Sequence, residues 1–166
     1  MIEDELGLKK GLSMEAQSGH LVQAYVDGAC VPKNPGGIPV WGFLLLRDNT
    51  PIDTKGGLAA AESSPQATNN VAEYEAFINA LKEIKHLGWD QDKIVVYTDS
   101  LILHNQLKDE WKVNPELLPW YKKAKAQMNG FQFIEVRKIS RRQNRVAHRA
   151  AKAAYYEVRL GQLKKK

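Results

Sequence analysis

The sequence predicts an α/β fold in which a mixed sheet carries helices on both of its faces. Three apolar segments come first and are joined by turn-rich loops, which is typical of strands linked as antiparallel hairpins. The segments that follow alternate between helical and strand-like patterns, which is typical of β-α-β crossovers with parallel pairing. At 166 residues, the chain is long enough for one domain with a substantial core.

The three strands predicted first are Leu21–Asp27, Val40–Arg47 and Ile52–Ala61. The first reads LVQAYVD and is expected to stop at Asp27-Gly28, because Asp-Gly is a favourable turn dipeptide. The segment 31–39, VPKNPGGIP, is rich in proline and glycine and predicts a loop before the second strand.

A long helix is expected next, because apolar residues recur at three- and four-residue steps up to Gly88, which would end it. The elements predicted from there on are a helix at 71–87, a strand at 93–98, helices at 100–111 and 117–128, a strand at 131–139 and a helix ending near Leu160. The last helix starts after Ser140, which has capping-box spacing to Gln143.

These elements suggest a domain at 21–160, preceded by a flexible arm at 1–20 and followed by a basic tail at 161–166. No apolar run approaches the roughly 20 residues that a bilayer-spanning helix needs, and the polar N-terminus lacks the pattern of a signal peptide. Cys30 is the single cysteine, so no internal disulfide can form. We therefore expect a cytoplasmic protein without a membrane partner.

The net charge of +5 is unevenly distributed along the chain. From Tyr121 onward the only acids are Glu135 and Glu157. The basic residues of that region are Lys122, Lys123, Lys125, Arg137, Lys138, Arg141, Arg142, Arg145, Arg149, Lys152, Arg159 and Lys164–Lys166. This asymmetry is consistent either with a polyanionic partner such as nucleic acid or with a solvated helix face and a lysine tail.

Three carboxylates stand at junctions between predicted elements: Asp27, Glu73 and Asp99. Each has a purely structural explanation, since they could serve respectively as a turn residue, a capping-box glutamate after Asn70 and a helix N-cap. Together, however, they lie at the ends of elements expected to be neighbours in the sheet. Clustered carboxylates need a cation, and oxygen ligands favour hard cations such as Mg²⁺ or Mn²⁺. Beside a basic surface, such a centre suggests two-metal phosphodiester hydrolysis.

Several short motifs occur in a diagnostic order along 21–155. They are YVDGAC around Asp27, NPG at 34–36, TNNVAEYEA around Glu73, YTDS around Asp99 and SRRQNRVAH ending at His148. In this order they resemble the motifs of the type 1 ribonuclease H family.

The resemblance implies a ribonuclease H-like fold with a five-stranded mixed sheet, flanked by helices on both faces. It also implies endonucleolytic hydrolysis of the RNA strand of RNA–DNA hybrids, without sequence specificity, by a two-metal-ion mechanism that leaves 5′-phosphate ends. The implied catalytic residues and metal ligands are Asp27, Glu73, Asp99 and His148. The implied substrate contacts are Gly28, Asn34, Thr68, Asn69, Asn70, Asn144 and Arg145, with Thr68 and Asn144 in a phosphate pocket for the DNA strand. We expect a monomer that binds two Mg²⁺ or Mn²⁺ ions.

The sequence departs from the family pattern at three places. His148 replaces the fourth carboxylate, an aspartate. The short segment 138–143 lacks the catalytic histidine of longer members, and 101–119 is too short for the basic protrusion with which some members bind the hybrid.

His148 is thus either a neutral imidazole ligand, which would favour Mn²⁺, or a solvent-facing or phosphate-contacting residue. It is also the one feature that favours the alternative function, a catalytically weak or inactive nucleic-acid-binding module of the same fold. A third hypothesis is a nuclease of this fold that acts on another substrate such as double-stranded RNA.

Overall fold

A computed structural model describes residues 19–165, with side chains through residue 162. Almost all of the arm predicted at 1–20 lies outside the described residues. The strands are β1 (Leu21–Val31), β2 (Ile38–Arg47), β3 (Thr50–Leu58), β4 (Lys93–Thr98) and β5 (Phe133–Lys138). The helices are α1 (Asn69–His86), α2 (Leu101–Leu107), α3 (Leu118–Met128) and α4 (Arg145–Lys165), with a short 3₁₀ turn at Arg142–Asn144 before α4.

The five strands form one mixed sheet in the order β3-β2-β1-β4-β5. Strand β1 pairs antiparallel with β2, and β2 pairs antiparallel with β3. Strands β1, β4 and β5 run parallel to one another. The predicted mixed α/β sheet is therefore confirmed, and β1 lies at its centre.

The prediction that β1 stops at Asp27-Gly28 is wrong. The strand continues to Val31, because Asp27 pairs with Gly42 and Gly28 with Trp41 in the antiparallel ladder to β2. Asp27 is thus a strand residue rather than a turn residue.

Other boundaries also differ from the prediction. Strand β3 ends at Leu58 instead of Ala61, and helix α2 ends at Leu107, just before Asp109, whose φ is 61°. Helix α4 runs on to Lys165, so the predicted tail at 161–166 continues the helix through that residue. The reciprocal hydrogen bonds of a capping box between Ser140 and Gln143 are present, and they open the 3₁₀ turn that leads into α4.

Helices cover both faces of the sheet, and glycines allow the closest approaches. A Cβ on Gly28 would lie 2.2 Å from the Ala72 carbonyl carbon of α1, and one on Gly42 would lie 2.3 Å from the Ala151 nitrogen of α4. Helix α1 contributes Tyr74 and Phe77 to the main core, where both are fully buried. The sheet is therefore held between α1 and α4, which places Asp27 between two helices.

None of the helices in the described part of the chain is long and apolar enough to cross a membrane.

Candidate active site

Asp27, Glu73 and Asp99 converge beside the two central strands of the sheet, at the end where β4 stops. One carboxylate oxygen from each lies within 4.8 Å of the others. The topology explains this meeting, because β1 and β4 are parallel neighbours: Asp27 lies on β1 and Asp99 follows the end of β4. Glu73 comes from the start of α1, which packs across β1.

Glu73 is tied directly to the strand that carries Asp27. Its side chain is buried, and its Oε1 accepts a hydrogen bond of 2.8 Å from the backbone N–H of Gly28. The N-cap of α1 is Thr68, whose hydroxyl accepts from the Val71 N–H at 3.1 Å. The alternative role of Glu73 as a capping-box residue with Asn70 therefore fails, because Asn70 is not the N-cap.

Asp99 does not cap the next helix either. The N-cap of α2 is Ser100, whose side chain accepts a hydrogen bond of 3.1 Å from the Leu103 N–H. All three structural explanations for these carboxylates therefore fail. The three carboxylates line one cleft, which has a volume of about 280 Å³. Arg141 and His148 line the same cleft.

Burial and repulsion between neighbouring charges make Asp27 and Glu73 hard to ionise together. Burial, followed by repulsion from Asp99, raises the pKa of Asp27 to about 6. Burial raises the pKa of Glu73 well above its usual value, with further contributions from the charges of Asp27 and Asp99. The Arg141 guanidinium opposes this shift in the pKa of Glu73. Carboxylates in this state favour a cation that neutralises them.

The donor set fits a hard divalent cation. It consists of carboxylate oxygens, which are the ligands that Mg²⁺ and Mn²⁺ prefer, and it includes no sulfur. Asp27 and Glu73 are held in place, Asp27 by the ladder of β1 and Glu73 by Gly28, so the oxygens are organised before any ion arrives.

His148 lies beside this group and contacts only one member of it. Its Nδ1 donates a hydrogen bond of 3.0 Å to Oδ2 of Asp27. The His148 side chain is 46% exposed, while that of Asp27 is 7% exposed. The imidazole thus lies against the Asp27 carboxylate, next to the three-carboxylate group.

The predicted substrate residues fall into distinct places. Gly28 and Asn69 line the carboxylate cleft, whereas Thr68 and Asn70 line a separate concavity with Asn114. A chain of hydrogen bonds joins three segments here: Asn34 Oδ1 accepts from the Asn69 N–H at 2.9 Å, and Asn69 Oδ1 accepts from the Cys30 N–H at 2.7 Å. Arg145 is exposed. The roles given to these residues by the resemblance stay predictions.

Asn144 does not occupy the place expected for a phosphate contact. It is buried, with 1% of its surface exposed, and its Nδ2 donates a hydrogen bond of 2.8 Å to the Val26 carbonyl. Its side chain therefore anchors the start of α4 to β1, one residue before Asp27. We therefore correct the prediction that Thr68 and Asn144 share a phosphate pocket, because the buried side chain of Asn144 presents no donor at the surface.

Arg141 has a more specific place than its sequence context indicated. In the sequence it is one of several basic residues near α4, with nothing to separate it from Arg142. In the structure it lines the carboxylate cleft, where its charge faces Glu73. The cleft therefore combines a carboxylate cluster with a guanidinium.

Comparison with known proteins gives consistent matches over most of the chain. A family model described as reverse transcriptase-like matches residues 41–154. Ribonuclease HI of Halobacterium salinarum is 32% identical over 142 residues, which cover 85% of this chain and 67% of that protein. A bifunctional protein of Mycobacterium tuberculosis is 36% identical over 122 residues, which cover 73% of this chain.

Solved structures show the same relationship. The crystal structure of RNase H1 from Halobacterium salinarum has a TM-score of 0.73 and 30% identity, covering 82% of this chain and 98% of that one. The N-terminal RNase H domain of a Mycobacterium tuberculosis protein, solved as a fusion, has a TM-score of 0.71 and 30% identity, covering 81% of this chain and 98% of that one. The match spans only 32% of the length of the bifunctional mycobacterial protein.

Proposed function

This chain belongs to the type 1 ribonuclease H family, and from that premise we propose that its carboxylate cleft hydrolyses the RNA strand of RNA–DNA hybrids. The reaction is endonucleolytic, has no sequence specificity and leaves 5′-phosphate ends. The observation that carries the proposal is the convergence of Asp27, Glu73 and Asp99 within 4.8 Å, beside Arg141, in a chain of this family.

The enzyme depends on divalent cations, which Asp27, Glu73 and Asp99 would hold. When bound, the cations supply an activated water and neutralise the charge that develops on the phosphate. Asp27 would hold the ions together with Glu73 and Asp99, and its Oδ2 also lies 3.0 Å from Nδ1 of His148. We propose Mg²⁺ or Mn²⁺, two ions per site, with Mn²⁺ favoured because an imidazole suits it better than Mg²⁺.

The chain's own groups account for how a hybrid is positioned. Arg141 provides a positive charge at the cleft for a phosphate of the cleaved strand. Gly28 and Asn69 bring backbone and amide groups to the same cleft, where they can reach a ribose. The 2′-hydroxyl of RNA is what separates the two strands of a hybrid, since DNA lacks it.

The alternative, a module that binds nucleic acid without cleaving it, rests on His148 alone. Its hydrogen bond to Asp27 occupies an acceptor on that carboxylate and supplies no negative charge of its own. If the fourth carboxylate is indispensable, hybrid binding would persist without turnover.

Cleavage of a labelled RNA–DNA hybrid, measured separately in Mg²⁺ and in Mn²⁺, decides between the two functions. Asp27→Asn is the control, because it keeps the size of the side chain and removes its charge. We expect turnover in at least one metal, higher in Mn²⁺ and absent in Asp27→Asn. Binding of the hybrid without turnover in either metal would establish the module, and preferential cleavage of double-stranded RNA would establish the third hypothesis.

We also propose that the protein acts as a monomer in the cytoplasm. Cys30 supports a reducing compartment, because it is the only cysteine and its thiol is buried, where it donates to the Ala67 carbonyl. Sedimentation of the purified chain tests the monomer, and a dimer at micromolar concentration would contradict it.

A further inference from the structure

A second concavity opens directly beside the carboxylate cleft. Its volume is about 350 Å³, and it shares Ala29, Arg141 and His148 with the cleft. We call it the α4 pocket, because Lys152, Tyr155 and Tyr156 of helix α4 form one of its walls. The two concavities adjoin at these three shared residues, so a strand lying in one can enter the other.

The floor of the α4 pocket is apolar. Val31 and Val40 contribute from neighbouring strands, and Ala151 contributes from the buried face of α4. The volume of the pocket, about 350 Å³, lies within the range of about 300–1,000 Å³ that is common for small-ligand sites. Its apolar floor suits a flat organic group better than a phosphate.

Two tyrosine rings stand at the pocket wall. The centroids of Tyr155 and Tyr156 are 5.4 Å apart, in an edge-on arrangement. Tyr156 is 54% exposed, so much of its ring is open to a ligand. Aromatic faces of this kind stack on nucleobases regardless of the base.

Two cations lie at the rim of the α4 pocket. Neither Arg141 nor Lys152 forms an ion pair with an acidic side chain among residues 19–162. Both charges are therefore available to the phosphates on either side of a base. The apolar floor and the aromatic wall of the pocket suit a base, and the cations at its rim suit the phosphates on either side of that base.

From this arrangement we propose that the α4 pocket binds an unpaired nucleotide of the RNA strand, next to the phosphate that is cleaved. The inference rests on the proposed function for the identity of the strand. A paired base has both faces stacked inside the duplex and cannot enter a concave pocket, whereas an unpaired base can be turned out and stacked on an aromatic ring. The protein would therefore favour hybrids whose RNA strand carries a bulged or unpaired nucleotide.

The dimensions agree with one or two nucleotides. Eight residues separate His148 from Tyr156 on one helix, which is about 12 Å at 1.5 Å per residue. Lys152 lies midway, one turn from each.

The test compares three labelled hybrids by fluorescence anisotropy without divalent cations. One is fully paired, one has a single-nucleotide RNA bulge, and one has the same bulge without its base. The abasic bulge keeps the phosphate and the bend of the duplex, so the difference between the two bulges isolates the base. We expect the bulge with a base to bind about five- to thirtyfold more tightly than the abasic bulge.

The variants are placed on exposed side chains so that folding is preserved. Tyr156→Leu should remove the preference for the base, while Tyr156→Phe should keep it. Lys152→Gln should weaken binding of all three hybrids and reduce the salt slope by about one, because it removes a phosphate contact. Lys82→Gln, on the exposed surface of α1, is the matched control. It should change neither the preference for the base nor the salt slope of binding.

Equal affinity of the wild-type protein for the two bulges, or a preference that survives in Tyr156→Leu, would overturn the inference. Cleavage of the fully paired hybrid in Mg²⁺ or Mn²⁺ is scored separately. If that hybrid is cleaved and the base preference is missing, only the pocket inference fails. If the preference is present and no hybrid is cleaved, only the proposed hydrolysis fails.

Discussion

Asp27 occupies an unfavourable position for an ionised group. It is buried, it lies beside Asp99 and Glu73, and its pKa is raised to about 6. The hydrogen bond from His148 opposes the shift without cancelling it. The site is therefore strained electrostatically in the absence of a cation, and this strain should be measurable in the free energy of unfolding.

The variant Asp27→Asn should be more stable than the wild type at pH 8 in the absence of metal. A folded-state pKa above the unfolded value means that the folded state holds the proton more tightly, so stability is lost as pH rises through about 6. We expect a gain of about 1–3 kcal/mol at pH 8 that shrinks towards pH 4. Urea unfolding in EDTA at both pH values measures it.

Asp109→Asn is the matched control for this experiment. Asp109 is exposed and pairs with Lys125, and the hydrogen bond from Tyr121 holds its pKa below the usual value. Removing this charge should not stabilise the protein. A metal-free Asp27→Asn protein no more stable than wild type at pH 8 would contradict the electrostatic account.

Replacement of His148 tests what the imidazole does for metal binding. His148→Asp adds a carboxylate next to Asp27, so we expect Mg²⁺ to bind about tenfold more tightly, from roughly 1–2 kcal/mol of added Coulomb attraction. The ratio of Mn²⁺ to Mg²⁺ affinity should fall. Isothermal titration with each metal measures both, and His148→Asn, which adds no charge, is the control. An unchanged Mg²⁺ affinity in His148→Asp would show that position 148 is remote from the ions.

At the scale of elements, the site depends on how closely α1 approaches β1. A Cβ on Gly28 would lie 2.2 Å from the Ala72 carbonyl carbon and 2.4 Å from the Glu73 nitrogen. Both are backbone atoms that cannot rotate away. Gly28 therefore sets the distance between the strand that carries Asp27 and the helix that carries Glu73.

Gly28→Ala should destabilise the protein by about 3 kcal/mol, at the upper end of overpacking effects, because α1 must move away from β1. Cleavage should fall more than stability alone explains, since the move separates Glu73 from Asp27. Gly161→Ala is the control. Apart from its own helix backbone, no atom of the described residues lies within 4 Å of its added Cβ, and alanine is favoured over glycine in a helix by about 1 kcal/mol. Chemical unfolding and hybrid cleavage of both variants are the measurements, and equal effects at the two glycines would refute the argument.

Asn144 links the start of α4 to β1. Asn144→Ala should cost about 1–3 kcal/mol of stability, because it leaves the buried Val26 carbonyl without its side-chain donor. Asn129→Ala, at an exposed helix end, should cost much less. Urea unfolding compares the two variants, and similar losses would mean that the buried hydrogen bond contributes little.

The sequence predicted the elements better than their ends. The alternation and helical periodicity that identify strands and helices are local, so the mixed sheet could be predicted. Whether Asp27-Gly28 turns or continues depends on pairing with Trp41 and Gly42, thirteen or more residues away, so the end of β1 could not be predicted. The burial of Asn144 likewise follows from a contact across the whole domain, which no nearby residue reveals.

At the scale of the whole molecule, the grouping of the three carboxylates could be predicted, because each of them lies within a recognisable sequence motif. The α4 pocket was not foreseen. Val31, Val40 and Tyr156 are unremarkable in the sequence, and only the packing of α4 against β1 and β2 brings them to one concavity.

The uneven charge of the chain predicts that binding of a hybrid depends steeply on salt. Each phosphate contact contributes about 0.9 to the slope of log affinity against log salt. Arg141→Gln should lower that slope by about one, because Arg141 lies in the cleft. Lys93→Gln, at the opposite end of β4 from Asp99, should leave it unchanged. Anisotropy titrations over a range of salt concentrations test this, and equal slopes for both variants would contradict the assignment of Arg141.

Strand β1 lies at the centre of the sheet, between β2 and β4, and is packed by α1 and α4. Its amide protons should be among the last to exchange with solvent, because freeing them requires opening most of the domain. Asp27 therefore lies on the strand whose amide protons we expect to exchange most slowly. Partial openings at the outer strand β3 would leave the site assembled, so activity should persist until the domain unfolds as a whole.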